Sequence, residues 1–157
     1  MVRSRIYLDT TIPSYAVERR ADLVARYRRG ASRRLLGAGR TFEFLVSDVV
    51  RAELLRGLFS ARHEALRLIR KLPDLPVTPE AAQVAEYFRD NLLVPSYDIG
   101  DSLHLALAAV HRVAALATWN YRHLANPRKR RHLAVLCGRL GLAVPDVVPP
   151  DELLEEE

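Results

Sequence analysis

The stretch Arg5-Ile-Tyr-Leu8, followed by Asp9-Thr-Thr-Ile-Pro13, has the composition of a buried strand that runs into a helix. Ile, Tyr and Leu favour a pleated, buried strand. Asp and Thr cap helix starts, and proline is tolerated in the first helical turn. This order, a short strand ending at a polar helix start, is typical of α/β proteins.

The same order recurs along the chain. Phe42 to Val46 ends at Ser47-Asp48 before the helical stretch Val49 to Leu58, and Ala114 to Thr118 precedes Trp119-Asn120. Further segments complete the alternation, with weaker strand patterns at Leu75 to Thr78 and Val144 to Val148 and helical patterns at about 21–37, 60–71, 79–92, 101–112 and 128–140. Alternating strands and helices predict a mostly parallel sheet of about five strands with both faces covered.

The chain has 157 residues, within the usual size of one domain. We expect a single domain over 1–150 and a frayed acidic tail over 151–157. A net charge of +5 and a pI of about 9.8 favour an anionic partner. The apolar stretches are interrupted by His104, His111, Arg112 and Arg139, so no membrane span is expected. The absence of a signal-like segment before Leu8 and the lone Cys137 predict a cytoplasmic protein.

Acidic side chains fall at the positions where such folds collect their ligands, beyond the carboxyl ends of the strands. Asp9 and Asn120 follow two predicted strands, and Glu53 and Asp101 lie in the first turns of two predicted helices. Taken singly, Asp9 is explained equally well as a helix cap. Taken together, three acids at one edge are what a hard divalent cation requires, and such a site predicts hydrolysis of phosphodiester bonds.

Glu53 has the strongest case by itself. It lies on or beside the helix face that Val49, Val50 and Leu54 would bury, and an unpaired buried carboxylate is costly. An ion pair of Glu53 with Arg51 or Arg56, or partial exposure at the sheet edge, is the structural alternative.

Four segments carry a resemblance to a known family. They are Ile6-Tyr-Leu-Asp9-Thr-Thr-Ile-Pro-Ser14, Ser47-Asp-Val-Val-Arg-Ala-Glu53-Leu, Asp101-Ser-Leu-His-Leu-Ala-Leu-Ala108 and Ala117-Thr-Trp-Asn-Tyr-Arg-His-Leu-Ala-Asn126. In this order they resemble the motifs of PIN-domain ribonucleases, and they look closest to the VapC-like toxins of toxin–antitoxin pairs. The resemblance covers nearly the whole chain.

The resemblance implies a three-layer α/β/α sandwich and a metal-dependent endoribonuclease. By motif position, Asp9, Glu53 and Asp101 would be the catalytic acids that hold Mg²⁺, with Mn²⁺ as a substitute. It also implies an RNA substrate, a homodimer and, for a toxin, a cognate antitoxin that covers the acidic pocket. Asn120 stands where the family has a fourth acid, and an amide supplies no charge. Asp98 is a candidate replacement as a metal ligand, although an N-cap role explains it better.

Several basic and polar residues are candidates for binding RNA. They are Thr10, His123, Arg128, Lys129, Arg130 and Arg131. Positive side chains at a helix start oppose the helix dipole, and phosphate binding would compensate for that, although a solvated charge run is an equally simple explanation.

The other basic positions can be explained by structural roles. The segment Arg26 to Arg34 places Arg26, Arg29 and Arg33 on one helical face that either contacts RNA or an antitoxin or is simply exposed. His104 and His111 lack the close partners of a zinc site, so packing or surface roles are predicted.

Other functions remain open. A PIN nuclease of RNA processing and a nucleic-acid or protein-binding module that does not cut are both consistent with Asn120. Asp9-Thr10-Thr11 lacks the second acid of a haloacid-dehalogenase-type phosphatase, and no lysine follows a late strand as in a phosphorylated receiver. The sequence also has no Gly-rich phosphate loop, which argues against a nucleotide-binding enzyme.

Overall fold

The computed structural model describes residues 2–57 and 59–155, and in this part of the chain four strands form one all-parallel sheet. The strands are Ser4–Leu8 (β1), Phe42–Leu45 (β2), Ala115–Ala117 (β3) and Asp146–Val148 (β4). Their spatial order is β2-β1-β3-β4. In β1, the consecutive residues Ile6, Tyr7 and Leu8 are all buried, so helices cover both faces of the sheet. The predicted α/β/α sandwich is confirmed, with four strands in place of about five.

Helices connect the strands and close the two layers. They are Thr11–Ala16 (α1), Leu23–Leu36 (α2), Asp48–Arg56 (α3), Arg62–Ile69 (α4), Pro79–Asp90 (α5), Ile99–Val110 (α6), Pro127–Leu140 (α7) and Pro150–Glu155 (α8), with a π-helical turn at Tyr121–Ala125 before α7. The predicted helix after β2 begins at Asp48, and its expected end at Leu58 lies outside the described residues.

Side-chain caps explain where several helices begin. The side chains of Asp22, Ser47, Thr78, Asp98 and Asn126 each accept a hydrogen bond from a backbone N–H in the first turn that follows. Each cap satisfies a donor that the helix itself leaves unpaired. These capping residues are visible in the sequence, and the observed helix starts agree with the predicted ones.

Helix α6 is the most deeply embedded helix near the site. Leu105, Ala106, Leu107, Ala108 and Ala109 are all buried, so the helix is enclosed over its second half. Burial on all sides fixes both its position and its rotation. The polar residues of its first half are therefore held rigidly beside the ends of the strands.

One predicted strand is wrong. Residues Leu75 to Thr78 form no strand, and pairing there consists of an isolated bridge between Val46 and Asp74 and the hydrogen bond from Leu75 N to Val46 O. Pro73 and Pro76 flank this bridge, and because proline has no N–H, a ladder cannot continue through either residue.

The acidic tail also differs from the prediction. Pro150–Glu155 is helical, with Leu153 buried, Asp151 accepting a hydrogen bond from Tyr27 Oη at 2.9 Å and Glu152 paired with Arg130. The expectation of a frayed tail over 151–157 is therefore wrong up to Glu155, because these contacts anchor the segment and its first-turn acids suit the helix dipole. Glu156 and Glu157 lie outside the described residues.

None of the helices in the described ranges is both long and apolar enough to cross a lipid bilayer.

Candidate metal centre

The candidate site lies where the chain changes direction across the sheet. From β1 the chain passes to β2 on one side, whereas β3 lies on the other side of β1. The crevice that forms at such a switch point, beyond the carboxyl ends of the strands, is the usual ligand position in α/β folds. Asp9 follows β1 here, and Thr118, Trp119 and Asn120 follow β3.

Asp9 is buried and firmly held, with a side chain only 2% exposed. Its Oδ1 accepts hydrogen bonds from Thr11 N at 2.9 Å and Thr11 Oγ1 at 2.5 Å, and its Oδ2 accepts one from Thr118 Oγ1 at 2.5 Å. Burial raises the pKa of Asp9, and the nearby charge of His104 and the threonine hydrogen bonds oppose this shift. A carboxylate offers about four acceptor positions, so one remains for a further ligand.

Glu53 is positioned by a buried histidine. Its Oε1 accepts hydrogen bonds from His104 Nε2 at 2.5 Å and from Thr10 Oγ1 at 3.2 Å. Burial acts to raise the pKa of Glu53, but the hydrogen bond and charge of His104, together with Thr10, outweigh it, so the pKa lies below its usual range. Glu53 is therefore ionised at neutral pH, and its Oε2 lies against the start of α6, 3.2 Å from where a Cβ on Gly100 would stand.

A chain of buried hydrogen bonds continues behind His104. Its Nδ1 is 2.7 Å from Tyr7 Oη, which is 2.6 Å from Ser47 Oγ. Because the Glu53 carboxylate can only accept, the Nε2 of His104 carries a proton. Burial raises the pKa of Tyr7 far above its usual range, so the phenol stays protonated. When the imidazole is neutral, the Tyr7 hydroxyl donates a hydrogen bond to Nδ1 of His104.

Asp101 lies in a crowded acidic environment at the start of α6. Its backbone N donates to Asp98 Oδ1 at 3.1 Å, and its Oδ2 accepts from Asn120 Nδ2 at 2.8 Å. Burial, a hydrogen bond with the Asp98 carboxyl and the charges of Asp98, Asp9 and Glu53 raise the pKa of Asp101 to about 9. These acids are thus close enough for their charges to oppose ionisation of Asp101.

The donor set suits a hard divalent cation, although its geometry is not yet that of a closed cage. Within residues 2–57 and 59–155, no group of three or more His, Cys, Asp or Glu side chains is placed to hold a metal ion as it stands. Carboxylate oxygens are nevertheless the preferred ligands of Mg²⁺ and Mn²⁺, and their mutual repulsion is what such an ion neutralises. The residues therefore fit such an ion in their chemistry, and binding requires the side chains to rearrange.

Asn120 occupies the position of the absent fourth acid. Its Oδ1 accepts a hydrogen bond from the backbone N of His123 at 3.1 Å, while its amide group donates to Asp101. Asn120 therefore orients Asp101 and caps the π-helical turn, and one of the two acceptor positions of its carbonyl oxygen is in use. The N-cap role predicted for Asp98 is present in the same way.

The candidate RNA-binding residues divide into two groups. Thr10 contacts Glu53, and the backbone of His123 contacts Asn120, so both lie at the acidic site. In the basic run, Lys129 Nζ donates to Leu93 O at 2.8 Å and Arg130 pairs with Glu152 at 3.3 Å. The side chains of Arg128 and Arg131 are exposed at the start of α7.

The structure also answers two questions left open by the sequence, which concern the partner of Glu53 and the basic face of α2. Glu53 does not pair with Arg51, whose guanidinium contacts Asp48 and Asp74, but its side chain is 27% exposed, so the alternative of partial exposure is confirmed. In the basic face predicted on α2, Arg29 donates to Glu18 O and Arg33 to Ala16 O, so these two side chains tie α2 to the chain around α1.

Sequence reasoning missed two residues of the site. His104 was assigned a packing or surface role, whereas its side chain is 1% exposed and bonded to Glu53. The available signal was its place three residues after Asp101, on the same face of a helix. Thr118, which bonds Asp9 across 109 positions of the chain, had no local signal.

Comparison with known protein families identifies the family of this chain. The model of the PIN domain family matches residues 6–129, from β1 into the first turn of α7. The matched region includes Asp9, Glu53, Asp101 and Asn120. No curated protein matches the chain.

Proposed function

The chain belongs to the PIN domain family, whose members are generally nucleases, and from this premise we propose that it is a Mg²⁺-dependent endoribonuclease. Mn²⁺ would act as a substitute. The observation that carries the proposal is the placement of three carboxylates at the β1/β3 switch point, where Asp9 bonds Thr118, Asp101 bonds Asn120 and Glu53 lies against Gly100.

Asp9, Glu53 and Asp101 would hold the ion, with Asp98 as a further candidate ligand. When bound, the ion would neutralise charge on the scissile phosphate and lower the pKa of a coordinated water. Glu53, which is ionised and fixed by His104, is the group best suited to orient the attacking water. Asn120 would keep Asp101 in position through its amide group.

RNA would approach along the positively charged surface next to this site. The chain has a net charge of +5, and Arg128 and Arg131 are exposed at the helix start that follows the π-helical turn. Backbone N–H groups at a helix start and nearby guanidinium groups are suited to phosphate. Thr10 and His123 lie closer to the acids and would contact the nucleotide at the cleavage position.

The test is cleavage of single-stranded RNA by purified protein with Mg²⁺ or Mn²⁺, compared with protein in chelator. We expect Asp9→Asn and Asp101→Asn to abolish cleavage while circular dichroism shows an unchanged fold. Asp90→Asn is the matched control, because Asp90 is an exposed acid at the end of α5. Undiminished cleavage by both site variants would sink the proposal, and RNA binding without cleavage by the unaltered protein would favour a binding module.

The biological role that we propose is that of a toxin with a cognate antitoxin, which rests on the motif resemblance. In that case expression should arrest growth, and Asp9→Asn should relieve the arrest. The antitoxin would cover the acidic pocket, and the protein would be a homodimer. Normal growth on expression of an active nuclease would point to a role in RNA processing instead.

A further inference from the structure

A groove of about 490 Å³ opens directly beside the acidic site. Thr11 and Asn120 line it on the acidic side, and Tyr15, Arg28, Trp119 and Tyr121 line the rest. Thr11 also bonds Asp9, and Asn120 bonds Asp101. Whatever occupies this groove is therefore a direct neighbour of the group that the acids act on.

The wall of the groove is rigid and flat. The indole Nε1 of Trp119 donates to Ser32 Oγ at 2.8 Å, and its backbone N donates to Thr11 Oγ1 at 2.9 Å. The guanidinium of Arg28 lies 5.5 Å from the centre of the Trp119 ring and donates to Tyr15 Oη at 2.8 Å. Two aromatic side chains thus hold a planar cation in place at the groove.

Within residues 2–57 and 59–155, no carboxylate pairs with the guanidinium of Arg28. Arg122, which also lines the groove, adds a second guanidinium close by. A groove with these two cations suits an anionic ligand with a flat ring.

Tyr121 provides an exposed aromatic surface, and the packing of the fold does not explain its exposure. Its side chain is 60% exposed at the start of the π-helical turn. Tyr27, the other exposed tyrosine nearby, is 53% exposed but is tied to α8 by its bond to Asp151. An exposed ring beside a planar cation is the arrangement that proteins use to stack single nucleobases.

We propose that this groove binds one unpaired nucleobase of single-stranded RNA next to the phosphate that is cut. The base would stack on the Tyr121 ring and the Arg28 guanidinium. This inference rests on the proposed function and restricts its substrate, because a base within a duplex is stacked on its neighbours and cannot enter the groove.

The test measures binding by the full chain in chelator, so that no cleavage occurs, at one fixed salt concentration. The probes are a short single-stranded RNA and an abasic strand of the same length and charge. We expect the RNA to bind more tightly and to change the fluorescence of Trp119, the one tryptophan of the sequence. Tyr121→Leu should weaken RNA binding by about fivefold or more and leave the abasic strand unaffected, whereas the matched Tyr121→Phe should retain binding.

Equal affinity for the two strands, or unchanged RNA binding by Tyr121→Leu, would overturn the inference and leave a protein side chain as the groove's occupant. Cleavage is scored separately with Mg²⁺. Base-dependent binding without cleavage would contradict the proposed function alone, whereas cleavage without base-dependent binding would contradict this inference alone.

Discussion

At the scale of single residues, the hydrogen-bond chain from Ser47 through Tyr7 and His104 to Glu53 holds the Glu53 carboxylate in place, and His104 lowers its pKa. Tyr7, His104 and Ser47 are almost completely buried, so their partners are fixed by the core. Groups that orient a metal-binding carboxylate from behind tune its position and basicity. His104 therefore acts through Glu53 as a positioning residue.

Replacement of His104 tests this role. We expect His104→Phe to lower Mn²⁺ affinity and RNA cleavage by about 10- to 100-fold, because Glu53 loses its fixed orientation. The free energy of unfolding should fall by only about 1–3 kcal/mol, since Tyr7 keeps Ser47 as a partner. His111→Phe is the control, because the side chain of His111 bonds the backbone O of Pro76 near the surface, away from the acids. A folded His104→Phe protein with normal metal affinity would contradict the role.

The raised pKa of Asp101 predicts an unusual pH dependence of stability. Above about pH 4 the unfolded chain releases this proton, whereas the folded protein keeps it up to about pH 9. The folded state therefore binds more protons in this window, and the contribution of Asp101 lowers stability as pH rises. We expect urea unfolding in chelator to show Asp101→Asn as more stable than the unaltered protein at pH 8, with the difference shrinking towards pH 4.

A divalent ion should reverse that trend, because it replaces the proton. Mn²⁺ should stabilise the unaltered protein more at pH 8 than at pH 5 and should have little effect on Asp101→Asn. Parallel pH profiles of the two proteins in chelator would show that Asp101 carries no such proton.

The acids of the site could be predicted from the sequence, but their partners could not. Asp9 and Asp101 follow local signals, a strand end and a helix start. His104 lies 51 positions from Glu53 and Thr118 lies 109 from Asp9, so only the fold brings them together. A local pattern carries no information about such pairs.

At the scale of secondary-structure elements, the start of α6 controls the spacing of the acids. Asp98 caps the helix, and Asp101 and His104 follow on its first turns. Gly100 leaves room for the Glu53 carboxylate, since a Cβ there would lie 3.2 Å from Oε2. A side chain at this position would therefore displace the Glu53 carboxylate.

Gly100→Ala should separate stability from activity. Alanine favours a helix by up to about 1 kcal/mol over glycine, so the variant should be as stable as the unaltered protein or more so. Displacement of the Glu53 carboxylate should lower cleavage by about tenfold or more. Gly138→Ala in α7 is the matched control, because nothing lies within 4 Å of its Cβ, and it should gain stability with full activity. Full cleavage by Gly100→Ala would show that this contact does not position Glu53.

Helix starts could be predicted where a capping residue precedes them, whereas the segment at Leu75 to Thr78 and the C-terminal helix were not predicted correctly. The strand expected at Leu75 to Thr78 has suitable residues but is interrupted by prolines, so it pairs at a single point. The tail up to Glu155 looked too acidic to be ordered, yet contacts of Leu153 and Asp151 with the rest of the fold anchor it. Proline, a local feature, thus limits the strand, whereas tertiary contacts order the tail.

At the scale of the whole molecule, strand order explains why acids that are distant in sequence meet. Placing β3 beside β1, opposite β2, brings the residues after Leu8 and Ala117 to one crevice. The net charge of +5 adds attraction for a polyanion without specifying its sequence. The predicted fold class was sufficient to place Asp9 and Asn120 together, because parallel strands end at one edge.

The central claim is that Asp9, Glu53 and Asp101 share one divalent ion. A crystal structure of the protein soaked in Mn²⁺, with anomalous diffraction measured at the manganese edge, tests it most directly. We expect an anomalous peak bound by carboxylate oxygens of these three residues, with Asn120 still bonded to Asp101. A saturated crystal with no peak at this edge of the sheet, or with manganese bound by other residues, would contradict it.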